Sequence, residues 1–185
     1  DQLEKLELVV QTEPLGTAHA LLQAKTKLSG PFFVFHGDNP FTSEKTLQKM
    51  LVLKKDKLGV SVVCTHSDPT GKGRILIKEG VIFQAIEERD CTEEQKLIKT
   101  GNFGIYLFDP RVFPLLEKID SNNKQKEFYL TKVYEKAVEE SLEILPYYLP
   151  RSEQSRFSNL TYQKDLKEEA YLEEWLPSIP DKEKS

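Results

Sequence analysis

Asp38 is the residue whose position most invites chemistry. It closes the apolar run Pro31-Phe32-Phe33-Val34-Phe35-His36, follows Gly37 and precedes Asn39-Pro40. A carboxylate at the end of a buried strand, with glycine beside it, can hold a divalent cation against a phosphate, and carboxylate oxygen is the donor Mg²⁺ prefers. A turn aspartate that caps its own loop would look the same. Gln11-Thr12-Glu13-Pro14-Leu15-Gly16-Thr17 is a second candidate. Gly16 permits close backbone approach there, and Thr17 can cap a helix whose first N–H groups face a ligand. An ordinary capped helix after a Pro-Leu-Gly turn accounts for the same residues. Asp68-Pro69-Thr70-Gly71-Lys72-Gly73-Arg74 sets two glycines and two cations ahead of a hairpin. It lacks the Gly-x4-Gly-Lys-Ser/Thr spacing of a phosphate-cradling loop, and a plain turn would also produce it. Glu87-Glu88-Arg89-Asp90 reads as a solvated charge cluster rather than a catalytic carboxylate pair.

His19, His36 and His66 form no pattern with a serine and an aspartate that would suggest a hydrolytic triad. Cys64, inside Val60-Ser61-Val62-Val63-Cys64, reads as a small buried hydrophobe, and Cys91 follows Asp90. Neither Cys-x-x-Cys nor His-Glu-x-x-His occurs, so a zinc site and a disulfide framework both lack support.

The elements that must position these residues follow from periodicity. Leu6–Val10 has strand character. Thr17–Leu28 reads as a helix, with Ala18, Leu21, Leu22 and Leu28 near one face. Pro31–His36 reads as a strand buried on both faces of a parallel sheet. Thr42–Lys54 is helical, capped by Thr42 or Ser43, with Leu47, Met50 and Leu51 inward. Leu58–Thr65 is a further strand. This strand–helix alternation predicts an α/β parallel sheet. Arg74–Lys78 and Val81–Ile86 then form a hairpin around Glu79-Gly80. Thr92–Ile98 and Pro110–Ile119 are short helices with a strand, Asn102–Phe108, between them. Leu130, Val133, Tyr134, Ala137 and Val138 form an amphipathic face. Leu142–Leu149 is a last strand, Tyr162–Leu176 a last helix and Pro177–Ser185 a polar tail.

The 185 residues carry 30 acidic and 26 basic side chains, a formal charge of −4, which argues against a nucleic-acid binder with its basic stripe. No apolar run approaches the ~18 residues of a membrane span. No signal peptide opens the chain, and a reduced, cytoplasmic setting is expected. The length suits one domain, taken as residues 1–176 followed by the tail 177–185.

In combination the fragments resemble a known family. Gln11-Thr12-Glu13-Pro14-Leu15-Gly16-Thr17-Ala18-His19-Ala20 is similar to the uracil-reading segment of the sugar-nucleotide pyrophosphorylases, above all the N-acetylglucosamine-1-phosphate uridyltransferases of bacteria. His36-Gly37-Asp38-Asn39-Pro40 resembles that family's metal-binding Gly-Asp-x-Pro, and Asp68–Ile75 its Asp-Pro-Thr-Gly-x-Gly-Arg-Ile loop. Ile86-Glu87, Gly101–Gly104, Asn122–Thr131 and Asn159 follow in the family's order, so the resemblance spans Gln11 to Asn159. It implies a Rossmann-like, mostly parallel sheet flanked by helices, with a β-hairpin insertion. It also implies that Gln11, Gly16 and Thr17 bind the uracil nucleotide, and that Asp38 and Asn159 hold Mg²⁺. Gly73, Glu87, Asn102, Tyr129 and Thr131 would bind an N-acetylhexosamine. Asp38, through the metal, is the implied catalytic residue. The implied reaction joins UTP and N-acetylglucosamine-1-phosphate into UDP-N-acetylglucosamine with release of pyrophosphate.

The chain departs from the family in several places. The family opens with a strand and a loop close to Leu-Ala-Ala-Gly-x-Gly-Thr-Arg-Met, then Pro-Lys, which meets the triphosphate. These 185 residues hold neither, and their one methionine is Met50. The expectation is therefore an N-terminally truncated unit that turns over UTP poorly by itself. His36 stands where tyrosine is common, Lys72 replaces an aromatic residue, Lys132 replaces an aspartate, and Phe103 is bulkier than usual. A catalytically dead nucleotide-sugar-binding module, or a uridyltransferase for another sugar such as glucose-1-phosphate, fits the same motifs. Oligomeric state is not encoded in them.

Overall fold

The computed structural model describes residues 6–37 and 43–154. Its elements are α1 (Thr17–Gln23), β1 (Phe32–Phe35), α2 (Glu44–Lys54), β2 (Gly59–Thr65), β3 (Arg74–Lys78), β4 (Val81–Ile86), α3 (Glu93–Lys96), β5 (Thr100–Phe108), α4 (Phe113–Leu116), α5 (Val133–Glu139), β6 (Ile144–Tyr148) and α6 (Arg151–Gln154). One six-stranded sheet runs β4-β3-β5-β2-β6, with β1 also on β5.

The sheet is mixed rather than mostly parallel. Only the β2–β6 ladder is parallel among the described strands, and β1–β5, β2–β5, β3–β4 and β3–β5 are antiparallel. β1 and β2 are not neighbours, because β5, arriving from the hairpin and α3, lies between them. An apolar run reports burial and carries no signal for the direction of its neighbour. β1 is covered unevenly: Phe32 and Val34 pack in one layer and Phe33 against the other, while Phe35 at its end is exposed. Leu6–Val10 pairs with no described strand, and Leu6, Leu8, Val9 and Val10 are exposed. High β-propensity makes no strand without a ladder partner.

β5 explains how the sheet carries two hydrophobic layers. Ile105 and Leu107 face Met50 of α2 together with Val60, Val62 and Cys64, while Tyr106 and Phe108 face α1, α4 and α5 with Val63 and Ile144. That is the two-residue alternation of a central strand covered on both sides. Each fully buried large side chain contributes about 1.5–3 kcal/mol. Within the layer of Tyr106 and Phe108, the Ser61 and Tyr134 hydroxyls satisfy each other at 2.8 Å.

The helices obey their predicted faces with two exceptions. The inward stripe of α2 is Thr46, Met50 and Lys54, and Leu51 is 51% exposed. Lys54 can lie inside because its Nζ donates to Asp109 Oδ2 at 3.1 Å, and Arg111 grips the same carboxylate. Leu130, Val133, Tyr134 and Ala137 are buried, but Val138 is 48% exposed where α5 ends. Thr17–Leu28 breaks after Gln23 into a 3-10 turn, Lys25–Lys27. Ser43 supplies the α2 cap, accepting from Thr46 N at 3.1 Å. The hairpin turn is as predicted, with Glu79 (φ 52°) and Gly80 (φ 80°) both left-handed, as a two-residue primed turn requires. Cys64 is buried, and Cys64 and Cys91 are both free thiols. The expected helix Tyr162–Leu176 and the tail lie outside the described residues.

Candidate functional site

One edge of β5 is shared by two strands. Its end, Ile105–Phe108, pairs with β1, while Gly101, near its start, meets Arg74 of β3. The ladder changes partner across residues 102–104, so the end of β1 and the start of β3 diverge there. His36 N donates to Gly104 O at 2.9 Å, and Asn102 N donates to Gly73 O at 3.3 Å. Gly104 has φ +76°, and a Cβ there would stand 2.8 Å from His36 Nδ1. A crevice at the carboxyl end of a strand, where the sheet switches partner, is the usual ligand position in open α/β folds. Gly37, the last described residue before Asp38, lies at its mouth. Asp38 and Asn159 themselves lie outside the described residues.

On the hairpin side is a cavity of about 420 Å³. Glu87, Tyr129 and Thr131 line it, together with Gln84, Asp90, Asn123 and Lys132. Glu87 sits just after β4 and packs against Gly73. Burial pushes the Glu87 carboxyl above the usual carboxylate range, with neighbouring Asp90 adding to the effect. The Thr131 hydroxyl, 3.4 Å away, and Lys132 oppose it. Tyr129 donates its hydroxyl to Gln125 Oε1. Asn102 is absent from the lining. Its Nδ2 donates to Tyr106 Oη at 2.7 Å and its Oδ1 accepts from Gly104 N at 3.3 Å.

The residues expected at the nucleotide end lie on the other side of segment 128–131. Gly16 has φ +111°, and a Cβ there would stand 2.7 Å from Phe128 O and 2.8 Å from Phe128 N. Phe128 N donates to Leu15 O and Ala18 N donates to Phe128 O, both at 2.8 Å. Thr17 does not cap α1. Its Oγ1 accepts from Leu130 N at 2.8 Å, and Gly16 occupies the N-cap without a side-chain bond. Gln11 Nε2 donates to Gly16 O at 3.1 Å and lies 2.9 Å from His19 Nδ1. Residues 128–131 alternate accordingly. Phe128 and Leu130 face α1, while Tyr129 and Thr131 line the cavity.

The chain matches the Nucleotidyl transferase family profile over residues 1–152. It belongs to that family. Among curated relatives it is 40% identical to the bifunctional protein GlmU of Bacillus licheniformis over 139 residues, 71% of this chain and 30% of that protein. Identity to GlmU of Thermus thermophilus is 39% over 129 residues, 68% of this chain and 28% of the relative. For Listeria monocytogenes GlmU it is 37% over 151 residues, 78% and 33%. The chain thus spans about a third or less of the relatives it matches. Among solved structures, a putative glucose-1-phosphate thymidylyltransferase from Bacillus anthracis superposes with a TM-score of 0.65 at 17% identity, covering 88% of this chain and 63% of that one. A UDP-glucose pyrophosphorylase complexed with UDP-glucose gives 0.61 at 20% identity, covering 76% and 56%. These likenesses establish the nucleotide-diphospho-sugar transferase fold, an α/β sheet flanked by helices.

Other sequence-flagged residues of this nucleotidyl transferase chain support the site rather than line it. Arg74 is buried, pairs with Glu88 Oε2 at 2.7 Å and donates to Lys96 O at 3.0 Å, which fixes the loop before β3 to the turn after β4. The cluster Glu87–Asp90 is therefore split: Glu87 and Asp90 line the cavity and Glu88 is structural. The loop 68–73 is turn-stabilised, with Thr70 N donating to Asp68 Oδ1 at 3.0 Å. The His66 ring covers Gly101 and lies 2.9 Å from Cys64 Sγ. Burial pushes the Cys64 thiol up to about 11, so it is no nucleophile. Sequence reasoning missed Gln84 and Gln95. Gln84 alone had a signal, as the single polar residue inside the apolar run of β4.

Proposed function

We propose that residues 1–176 belong to a nucleotidyltransferase that makes UDP-N-acetylglucosamine and pyrophosphate from UTP and N-acetylglucosamine-1-phosphate in the cytoplasm, with poor turnover by these residues alone. The observation that carries this reading is segment 128–131, which on one side holds Leu15 and Ala18 by backbone hydrogen bonds and the Thr17 hydroxyl by Leu130 N, closing on Gly16, and on the other turns Tyr129 and Thr131 toward Glu87. A nucleotide over the start of α1 and a sugar in the cavity would then share one rigid seat, as alignment of two substrates requires.

Gln11 has its amide nitrogen engaged by Gly16 and His19, so Oε1 is the atom that accepts the imide N–H of uracil. Gly16 and Thr17 place the nucleotide against the backbone. Glu87 accepts sugar hydroxyls, Tyr129 and Thr131 flank the ring, and Gly73 contributes its backbone. Asn102 takes part by exchanging its Tyr106 contact for the acetamido group. One oxygen of the sugar phosphate attacks the α-phosphorus of UTP. The new P–O bond forms as the α–β phosphoanhydride breaks, and no covalent enzyme intermediate is needed.

Asp38 and Asn159 offer hard oxygen donors, the kind that suit Mg²⁺. Their flanks also meet: Glu153 Oε2 accepts from Ser43 Oγ at 2.9 Å and Thr46 Oγ1 at 2.8 Å, drawing the chain just before Asn159 to the residues just after Asp38. Bound there, Mg²⁺ supplies charge neutralisation and alignment of the phosphates.

Calorimetric titration of the chain with UDP-N-acetylglucosamine and with UDP-glucose, in Mg²⁺, tests the reading. Tighter binding of the N-acetylated ligand is expected. Equal or tighter binding of UDP-glucose overturns the sugar assignment, and no binding of either overturns the site. Pyrophosphate release from UTP and N-acetylglucosamine-1-phosphate by the full-length protein, with Asp38→Asn as control, separates a transferase from a binding module. The substitution should depress turnover far more than UDP-sugar binding.

A further inference from the structure

Two stretches of this chain carry the same spacing with opposite charge. On α2, Lys45, Gln48, Lys49, Val52 and Leu53 fall at i, i+3, i+4, i+7 and i+8, and with Lys55 and Tyr147 they line an open, largely apolar groove of about 630 Å³. Lys45 and Lys49 line the groove toward the start of α2, and Val52, which is 73% exposed, and Leu53 line it toward the end, with Lys55 just beyond them. Such a stripe on a surface helix is one of the two surfaces of a helix–helix contact. The other is in the sequence. Glu168, Tyr171, Leu172, Trp175 and Leu176 repeat the i, i+3, i+4, i+7, i+8 spacing, acidic first and apolar last. Residues 165–176 hold five carboxylates against one lysine, which matches the three lysines of the groove in sign.

The path of the chain supports the same pairing. The contact of Glu153 with Ser43 and Thr46 leaves the described chain beside the first turn of α2, at the Lys45 end of the groove. Residues 155–167 reach up to ~40 Å when extended, and α2 is about 16 Å long, so Glu168 can return to Lys45 and Lys49 without strain.

We propose that Glu168–Leu176 docks as a helix along α2 and parallel to it. Glu168 lies toward Lys45 and Lys49, and Trp175 and Leu176 cover Val52, Leu53 and Tyr147. Parallel alignment sets Glu168 against two lysines, Lys45 and Lys49, whereas the reverse would leave it only Lys55 and would set Trp175 and Leu176 over Lys45 and Lys49.

Trp175 is the one tryptophan of the chain, so its fluorescence reads the contact directly. In the full 185-residue protein its emission should be blue-shifted relative to the urea-unfolded chain and independent of protein concentration. Val52→Glu should move it to the red with the thermal transition of the sheet unchanged, since Val52 is exposed. The double substitution Lys45→Glu, Lys49→Glu should do the same at low salt. A carbodiimide should join Glu168 to Lys45 or Lys49 within a monomer. Unfolded-like emission in the unmodified protein overturns the proposal, as does emission that neither variant moves. Emission or cross-linking that rises with protein concentration also overturns it, because it assigns the groove to a second copy.

Discussion

The Glu87 carboxylate lies directly against Gly73: a Cβ built at Gly73 would stand 3.2 Å from Oε2 and 3.4 Å from Oε1. The loop before β3 and the turn after β4 are thereby packed together through the absence of one methyl group. The carboxylate is held where it can meet a sugar hydroxyl and the Thr131 donor.

Gly73→Ala should therefore keep the fold and displace Glu87 by a few tenths of an ångström. The expected result is UDP-N-acetylglucosamine binding weakened by roughly tenfold, about 1.4 kcal/mol. Calorimetry combined with thermal melting checks it, with the melting transition changing little.

Glu87→Gln should separate binding from stability. Burial raises the folded-state pKa of Glu87 above its ordinary 4.5. The folded chain thus holds its proton more tightly than the unfolded chain. The stability this contributes is fully present below about pH 4.5 and is lost as pH rises through the folded value. The neutral amide should match or exceed the wild type in thermal stability at neutral pH, with the difference closing in acid. Sugar-nucleotide binding should still fall by about tenfold or more, as expected for loss of a charged hydrogen-bond acceptor.

Gly16→Ala should damage both half-sites at once. The residue is in a left-handed conformation, and its Cβ would overlap backbone atoms of Phe128, which cannot rotate away. Strain and overpacking together should cost about 2–4 kcal/mol and move segment 128–131. A lowered melting temperature and a joint loss of UTP and UDP-sugar binding are the readouts.

Lys54→Met should test the buried ion pair that lets α2 present a lysine to the core. Burial pushes the Asp109 carboxyl up, but the Arg111 and Lys54 hydrogen bonds outweigh this and hold it below the usual range. Its stabilising effect is therefore present above about pH 3.8 and lost as pH falls through the folded value. With Arg111 still in place, the substitution should cost about 2 kcal/mol at neutral pH and move acid unfolding to higher pH. Urea titrations across pH measure both.

Glu153→Ala should leave the Ser43 and Thr46 hydroxyls without their shared acceptor, and Thr46 is fully buried. If this contact draws the flanks of Asp38 and Asn159 together, the Mg²⁺ concentration needed for half-maximal UDP-sugar binding should rise roughly tenfold. Glu153→Gln, which keeps an acceptor oxygen, should rise less.

Part of the site was legible, but through the family resemblance rather than residue type, which read Glu87 as one of a solvated charge cluster. Glu87, Tyr129 and Thr131 line one cavity, and Gly16 and Gly73 are glycines because a neighbour occupies the space of a side chain. Thr17 and Asn102 were less legible. Each has a polar side chain that can serve a ligand or its own backbone surroundings, and the choice depends on Leu130 in one case and Tyr106 in the other. Nothing in residue type marks Arg74 and Lys54 as buried, and only the approach of Glu88 and Asp109 allows them to be so.

Most element types among the described residues, Leu6–Val10 excepted, were legible from the sequence alone, as were the Glu-Gly hairpin and the Pro-led turn that opens at Pro110, since turn chemistry and periodicity act within a few residues. Strand direction and order were decided only by the tertiary structure. β5 reaches across the chain to separate β1 from β2 and to hold both β1 and β3 on one edge. An apolar run specifies that a strand is covered but not by which neighbour, because burial is non-directional and ladder hydrogen bonds form with whichever backbone the packing brings alongside. The crevice where β1 and β3 part exists only in that arrangement.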